Sequence, residues 1–201
     1  MADLLPLVAV DLSWPVSLSA LFPFNPTEFR LEIGFGDGER LIEQATLRPD
    51  IAFLGCEPFL NGVAKAVAGI HDRGLKNVRI HSDDARELIA ALPDHALDRI
   101  EILYPDPWPK RRHHKRRIIS DEFLGAAARV LKPECELRFA TDIDDYCAWT
   151  LTHIRRSTDF AWRANLPSDW LEPWDGWEPT RYEQKARREG RPSAYLTFVR
   201  T

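Results

Sequence analysis

Apolar and polar positions along this chain change period repeatedly, which predicts strands and helices in alternation. Phe29–Ile33 has the pattern of a strand that ends in glycines, residues 39–47 that of a helix, and the almost uninterrupted apolar segment Ile51–Cys56 that of a buried parallel strand. The later predicted elements are helices over 60–73, 85–92, 118–131 and 143–154, and strands over 78–81, 97–104, 135–139, 159–164 and 194–200.

This alternation predicts an α/β fold with a mostly parallel, seven-stranded sheet and helices on both faces. No repeat or low-complexity linker divides the 201 residues, so we expect residues 29–201 to form one domain and residues 1–28 to be an N-terminal extension. In such a sheet, ligands bind beyond the carboxyl ends of the strands.

Residues suited to ligand binding follow five of the predicted strands directly. They are Gly34–Gly38, Glu57, Asp84, Asp106 and Asp142. Because parallel strands end at the same edge of a sheet, these residues are expected to lie along one rim, and this coincidence carries more weight than any one motif.

The glycine segment has the spacing G-x-G-x-G rather than the G-x-G-x-x-G of dinucleotide-binding turns. Asp37 and Glu39 would also oppose a pyrophosphate at the start of a helix. An acidic rim suits a nucleoside cofactor that carries an amine and a sulfonium. The alternative is a structural turn, for which glycine is equally suited.

The acids after the second and third strands each have two interpretations. Glu57 can accept hydrogen bonds from both hydroxyls of a ribose, or it can be an exposed acid at a strand end. Asp84 can contact an adenine, or it can cap the helix that follows it. Spacing alone leaves both questions open.

The segment Tyr104–Lys110 follows the fourth predicted strand and contains three prolines. Proline fixes the backbone, so Asp106 and Trp108 have little freedom to lose when a ligand binds. A rigid structural turn is the alternative, but so many prolines are unusual in a simple connection.

Cationic residues are concentrated in one segment of an otherwise acidic chain. The chain has a net charge of −4, but residues 110–117 hold six of its 27 cationic residues and no acid, which leaves 21 cations against 31 acids elsewhere. Such a segment is expected to bind the phosphates of a nucleic acid, although a solvated surface loop would have the same composition. The candidate phosphate-binding residues are Arg111, Arg112, Lys115, Arg116 and Arg117.

Other features narrow the class of protein. Residues 1–28 contain no Lys or Arg, and no apolar segment approaches the roughly 20 residues that span a bilayer, so we expect a cytoplasmic protein. Cys56, Cys135 and Cys147 show no zinc-ligand spacing and are expected to be buried in the core, with no metal bound. The four tryptophans between Trp162 and Trp177 are expected to pack rather than to stack on bases, because acids surround them.

Several motifs occur together and in one order. They are Leu31–Gly38, Asp106–Lys110, His114–Arg117, Thr141–Asp142 and Thr180–Glu183. With these motifs, over about residues 30–200, the chain resembles the bacterial tRNA (guanine-N7)-methyltransferases. The segment Asp106–Lys110 is the most specific of them, whereas the glycine motif alone is typical of any class I methyltransferase.

The resemblance implies a Rossmann-like class I methyltransferase fold, S-adenosylmethionine as cofactor, and methyl transfer to N7 of a guanosine in the tRNA variable loop. It implies that Asp106 is catalytic. The cofactor contacts that it implies are four acids and three glycines: Glu32, Gly34, Gly36, Gly38, Glu57, Asp84 and Asp106. The substrate contacts that it implies are Lys110, Asp142, Thr180, Arg181, Tyr182 and Glu183.

The expected partner is tRNA, with no membrane association, and the protein is expected to be a monomer or a homodimer. Three alternatives stay open at this point. They are a class I methyltransferase with another RNA or a different substrate, a nicotinamide-dependent dehydrogenase, and an RNA-binding module without catalysis. The glycine spacing disfavours a dehydrogenase. In an RNA-binding module without catalysis, the acids at the strand ends would have no purpose.

Overall fold

In the computed structural model, residues 3–12 and 16–201 are described, and their strands form one seven-stranded sheet. The strands are β1 (Glu28–Ile33), β2 (Ile51–Cys56), β3 (Val78–His81), β4 (Leu97–Leu103), β5 (Leu131–Thr141), β6 (Phe160–Trp162) and β7 (Ala194–Arg200). Their order is β3-β2-β1-β4-β5-β7-β6, and β7 runs opposite to the other six strands. The predicted α/β fold class is therefore confirmed.

Helices connect the parallel strands as the sequence pattern predicts. They are α1 (Leu5–Val8), α2 (Glu39–Leu47), α3 (Leu60–Asp72), α4 (Ala85–Ala91), α5 (Asp121–Val130), α6 (Asp144–Ile154), α7 (Ser168–Leu171) and α8 (Arg181–Arg188), with short 3-10 helices at Leu18–Leu21 and Arg111–Arg116. The helix α5 begins three residues later than predicted, because the Ser120 hydroxyl accepts a hydrogen bond from the backbone N–H of Phe123 at 3.1 Å and caps it.

Alternate residues of β2 serve two hydrophobic clusters, one on each face of the sheet. Ile51 and Phe53 pack in the cluster that includes residues of α2 and α3, whereas Ala52 and Leu54 pack in the cluster that includes residues of α4 and α5. Burial on both faces explains why this strand has a continuous apolar sequence. Buried side chains of the N-terminal segment join the second of these clusters; they are Val10, Val16, Leu18 and Phe22.

The fifth strand starts earlier than the sequence pattern predicts. The sequence predicts that Lys132–Pro133 separates helix from strand, but β5 begins at Leu131 and contains both residues. The register with β4 shifts between the pairs Leu97–Leu131 and Arg99–Glu136. Between these two pairs β5 has several residues more than β4, which forms a bulge. A proline fits such a bulge, since it has no N–H to donate to a neighbouring strand.

The prediction that all three cysteines are buried in the core is only partly confirmed. Cys56 is buried, whereas Cys135 and Cys147 are only partly buried, although both pack against the core; all three are free thiols.

Across the part of the chain that the structure describes, no helix has the length and apolarity needed to cross a bilayer.

The helix α3 packs directly on the turn between β1 and α2. A Cβ atom on Gly62 of α3 would overlap the carbonyl oxygen of Gly36, and one on Gly38 would lie 2.6 Å from the Cβ of Ala66. Gly36 and Gly38 also have positive φ angles of 59° and 78°, which side chains other than glycine adopt at a cost. The turn and α3 therefore fit together only through glycine.

We expect Gly62→Ala to lower the free energy of unfolding by about 1–3 kcal/mol, because the added methyl group forces backbone apart in a close-packed contact. Urea titration followed by circular dichroism measures this. The matched control is Gly125→Ala in α5, where an added Cβ meets open space and alanine should raise helix stability by about 0.4–1 kcal/mol. Equal effects of the two substitutions would contradict the close contact at Gly62.

Candidate functional site

The sequence-predicted acids follow adjacent strands at one edge of the sheet. Glu57 comes directly after β2, Asp84 three residues after β3, Asp106 three residues after β4 and Asp142 directly after β5, and in the sheet only β1 stands between β2 and β4. The turn after β1 supplies Gly34 to Gly38 at the same edge. The common rim that the sequence predicts is therefore present.

Two clefts flank the glycine turn, and Gly34 lines both. One has a volume of about 300 Å³ and includes Cys56, Pro58 and Asp84 in its wall. The other has a volume of about 240 Å³, and its wall includes Glu32, Arg40 and the stretch Glu178–Tyr182. Asp106 and the side chain of Glu57 line neither cleft.

Glu57 is buried and fixes the glycine turn. One of its carboxylate oxygens accepts the backbone N–H of Gly36 at 2.9 Å, and the other accepts the N–H of Phe59 at 2.9 Å. Each oxygen retains a further lone pair for a ligand hydroxyl. Of the two interpretations from the sequence, the exposed strand-end acid is wrong, since this side chain is held inside the turn.

Asp84 caps α4. Its carboxylate accepts the N–H of Arg86 at 2.9 Å and pairs with the Arg86 guanidinium at 3.1 Å. The side chain is nevertheless exposed and lines the 300 Å³ cleft. Capping and ligand contact are therefore compatible here, because the same carboxylate faces the helix and the cleft.

Glu32 belongs to a buried charge cluster. The Nη1 atom of Arg40 lies 2.9 Å from a carboxylate oxygen of Glu32 and 2.8 Å from one of Glu101, and each of these three side chains is at most 15% exposed. Burial raises the pKa of Glu32 despite the guanidinium. For Glu101, burial acts in the same direction, but the charge and hydrogen bond of Arg40, together with the charges of Arg99 and Arg138, outweigh it and lower the pKa. The Arg40 guanidinium also lies over the ring of Trp177, 4.9 Å from its centroid.

The stretch Thr180–Glu183 closes over the glycine turn. The Thr180 hydroxyl caps α8 by accepting the N–H of Glu183 at 3.1 Å, and Arg181 pairs with Asp37 at 2.8 Å. Tyr182 is 55% exposed, and its ring lies 3.8 Å from where a Cβ of Gly36 would be. These contacts place two of the implied substrate residues, Arg181 and Tyr182, beside the turn.

Glu183 does not fit its implied role as a direct substrate contact, because it is completely buried. Its carboxylate accepts hydrogen bonds from Trp177 Nε1 at 2.7 Å and from the Tyr195 hydroxyl at 2.6 Å, and it pairs with Arg187 at 2.5 Å. Glu183 thus holds the stretch before it in place. Trp177 packs against Tyr195 and Trp174, in line with the expectation that these tryptophans pack.

The proline-rich segment after β4 is bent at both ends. Tyr104 and Trp108 have φ angles of +52° and +45°, a left-handed conformation that is strained for aromatic residues. Between them, Asp106 is exposed and forms no hydrogen bond or ion pair with the described residues. Its carboxylate is therefore available to a ligand.

The basic segment forms a 3-10 helix with most of its cations at the surface. Lys110, Arg111, Arg112, Lys115 and Arg116 are exposed. Arg116 lies over the ring of Trp108, 4.7 Å from its centroid. Arg117 is the exception, with a completely buried side chain, so its predicted phosphate contact is wrong.

Asp142 is oriented by a cation. Its carboxylate accepts the Nε–H of Arg191 at 2.7 Å, and only 13% of the side chain is exposed. Arg191 in turn pairs with Glu189. Asp142 thus keeps its charge partly neutralised at the rim. No cluster of His, Cys, Asp and Glu suited to a metal occurs within 3–12 and 16–201.

Arg40 and Glu101 are not among the site residues predicted from the sequence. A signal was available, since Glu32 and Glu101 both stand in apolar strands, and two acids inside a core require a cation. Which cation serves them depends on the packing of α2 on the sheet, which the pattern does not give. The buried position of Arg117 had no signal, because its neighbours in the sequence are exposed cations.

We expect Arg40→Met to lower the free energy of unfolding by about 3–5 kcal/mol at pH 7, because two buried carboxylates lose their cation. Without Arg40, burial holds both carboxyl pKa values above their unfolded values, so protonation favours the folded variant as the pH falls. The deficit should therefore shrink between pH 8 and pH 5 in urea titrations. Arg48→Met is the control, since Arg48 is half exposed and 4.0 Å from Asp50, and a deficit independent of pH would contradict the assignment.

Comparisons with known proteins agree with this geometry. Residues 27–196 match the family model described as "Putative methyltransferase". Relatives named tRNA (guanine-N(7)-)-methyltransferase include one from Nitrobacter winogradskyi, 50% identical over 201 residues, which are 99% of this chain and 78% of the relative. Another, from Rhizobium etli, is 52% identical over 198 residues, which are 98% of this chain and 86% of the relative.

Solved structures of lower identity share the fold. The aminoglycoside resistance methyltransferase NpmB1 superposes with a TM-score of 0.62 at 18% identity and covers 92% of each chain. TrmN from Thermus thermophilus gives 0.61 at 19% identity, over 98% of this chain and 52% of that one. The order of strands, the acidic rim and these sequence matches together lead to one conclusion: the chain belongs to the family of tRNA (guanine-N(7)-)-methyltransferases.

Proposed function

We propose that this protein transfers a methyl group from S-adenosylmethionine to N7 of a guanosine in the variable loop of tRNA. The observation that carries the proposal is the row of acids at the carboxyl ends of β2 to β5, next to a surface segment of cations. Relatives that are 50% and 52% identical and are named tRNA (guanine-N(7)-)-methyltransferase support the choice of substrate. This reaction belongs in the cytoplasm, where bacterial tRNA is modified.

The residues around the glycine turn fit S-adenosylmethionine. Glu57 fixes the turn and retains carboxylate lone pairs that would accept the ribose hydroxyls, and Asp84 lines a cleft that would hold the adenine. Glu32 lines the second cleft, on the acidic side that suits an ammonium group. When bound, the cofactor supplies a methyl group on a positively charged sulfur. The close contact between Gly62 and Gly36 leaves the turn rigid, so that little order has to be gained on binding.

The acids of the rim fit methyl transfer to N7 of guanine. N7 carries a free lone pair and no proton, so the protein has no proton to remove and its main task is to position the base, an effect worth up to about 7–11 kcal/mol. Positive charge develops on the purine ring as the bond forms. Asp106 and Asp142 provide carboxylates that stabilise this charge and accept hydrogen bonds from the guanine edge.

Exposed cations of the 3-10 helix attract the RNA. Lys110, Arg111, Arg112 and Lys115 have no acid within ion-pair distance among the described residues. Acidic residues line the cofactor side, so the two signs of charge are separated on the surface. A polyanion is therefore drawn to the segment 110–116 and repelled by the rest of an acidic protein.

The principal alternative is methyl transfer to another RNA or to a different substrate. The fold and the cofactor site would be the same for these reactions, since the glycine turn recognises only the cofactor. The alternative differs only in the group that accepts the methyl. Methylation of tRNA transcripts that differ in a single base therefore distinguishes the proposed reaction from the alternative.

We expect the wild-type protein to methylate a tRNA transcript with guanosine in the variable loop and not the same transcript with adenosine there. Asp106→Asn should lower the single-turnover rate by about 100–1,000-fold, because the carboxylate that stabilises the developing charge is lost. Tritium transfer from labelled cofactor measures both. Asp94→Asn is the control, since Asp94 is exposed, pairs with Arg129 and precedes β4 instead of following it.

Two outcomes would contradict the proposal. Equal methylation of both transcripts would place the acceptor elsewhere. A normal rate for Asp106→Asn, with cofactor binding intact by calorimetry, would remove Asp106 from the reaction. Unfolding curves for the variant establish that a lost rate is not a lost fold.

We expect the triple substitution of Arg111, Arg112 and Lys115 to Gln to weaken tRNA binding and to leave cofactor binding unchanged. Each phosphate contact contributes about 0.7–0.9 to the slope of log K against log salt, so the slope should become shallower by roughly two to three. Filter binding over a salt series measures it. The control replaces Arg48, Arg73 and Lys76, three exposed cations that precede β2 and β3, and should leave the slope as it is.

A further inference from the structure

Arg117 is a buried cation beside the segment that carries Asp106. Its Nε–H donates to the carbonyl oxygen of Pro107 at 2.9 Å, and its Nη2 pairs with Asp145 at the start of α6. The guanidinium lies 4.7 Å from the ring centroid of Tyr146 and 5.1 Å from that of Trp149. The cation is thus held by a carboxylate, two aromatic faces and one backbone carbonyl.

The carbonyl that Arg117 binds stands where the chain bends. Pro107 directly follows Asp106 and directly precedes Trp108, whose φ angle is +45°. Such strained conformations cost about 1–3 kcal/mol and persist only where surrounding contacts impose them. The hydrogen bond to Pro107 is one such contact, and the packing of Arg116 on Trp108 is another.

The first turns of α6 hold Arg117 and the two residues that follow it. Asp145 pairs with Arg117, the Tyr146 hydroxyl accepts the N–H of Ile118 at 3.1 Å, and Trp149 Nε1 donates to the carbonyl of Ile119 at 2.8 Å. The helix itself begins two residues after Asp142. The same helix therefore joins the two rim acids, Asp106 and Asp142, through Arg117.

We propose that Arg117 is a positioning residue for methyl transfer, which fixes the backbone at Pro107 against α6 and so sets the place of the Asp106 carboxylate. The proposal rests on the proposed role of Asp106. A buried guanidinium is costly, and one of its nitrogens, Nη1, has no hydrogen-bond partner among the described residues. A hydrophobic residue could fill the same space but could not bind the Pro107 carbonyl and Asp145 together. Complete burial separates its role from that of its exposed neighbours.

The test separates positioning from RNA binding and from general stability. Asp145→Ala removes the partner of Arg117 without opening the core, because Asp145 is 65% exposed. Asp144→Ala is the matched control, since it removes the neighbouring exposed acid from the same helical turn. Arg117→Met and Arg117→Lys complete the set. Each variant is assayed by single turnover at saturating tRNA, by tRNA binding over a salt series and by calorimetry with S-adenosylmethionine.

We expect Asp145→Ala and Arg117→Met to lower the single-turnover rate by about 10–100-fold, because displacements of an ångström cost that much in positioned reactions. The tRNA affinity, its salt slope and the cofactor affinity should stay within twofold of wild type. Arg117→Lys should recover part of the rate, since an ammonium group can still reach the carbonyl or the carboxylate. Asp144→Ala should match wild type.

Three results would overturn the proposal. The first is a wild-type rate at saturating tRNA for folded Asp145→Ala. The second is a shallower salt slope with an unchanged rate, which would make Arg117 a phosphate contact. The third is an equal loss in Asp144→Ala. If Arg117→Met does not fold, Asp145→Ala alone decides. A wild-type protein that methylates no tRNA would instead contradict the proposed function, so the two failures are distinguishable.

Discussion

One buried arginine holds together the part of the sheet from which the site is built. Glu32 of β1 and Glu101 of β4 are paired residues of neighbouring strands. Two carboxylates side by side in a core repel each other, and each loses its hydration. Arg40 satisfies both and rests on Trp177, so it ties two central strands and α2 to the stretch that covers the glycine turn. The wall of the second cleft depends on this arrangement.

Most of the fold could be predicted because its signals are local. The apolar segment Ile51–Cys56 is a strand with those bounds, and the helix over 39–47 is found as expected, since each pattern reports burial directly. Errors arise where a non-local contact decides. The bulge of β5 depends on pairing with β4, and the buried place of Arg117 depends on aromatic rings that lie about 30 residues away in the sequence. The sequence around Arg117 shows that it is a cation, but it does not show which side chains surround it in the fold.

The site keeps its opposite charges apart by using the topology of the sheet. Parallel strands end at one edge, which gathers acids there, while the basic segment extends beyond β4 and is anchored by α6. Several acids of the rim are engaged by backbone N–H groups or by arginines, as Glu57 and Asp142 show, and this limits the repulsion among them. Among the residues that the structure describes, Asp106 has no such partner, so its position depends on the backbone that carries it.

The contact between Gly62 and Gly36 limits how the proposed cofactor site can be redesigned. Enlarging the cleft for cofactor analogues with bulkier alkyl groups requires moving some part of its wall. The glycine turn itself cannot move towards α3, since the backbone of Gly62 already meets that of Gly36. Tyr182, exposed and carried on the short helix α8, is the wall that a smaller side chain would open, and enzyme engineering would begin with that residue.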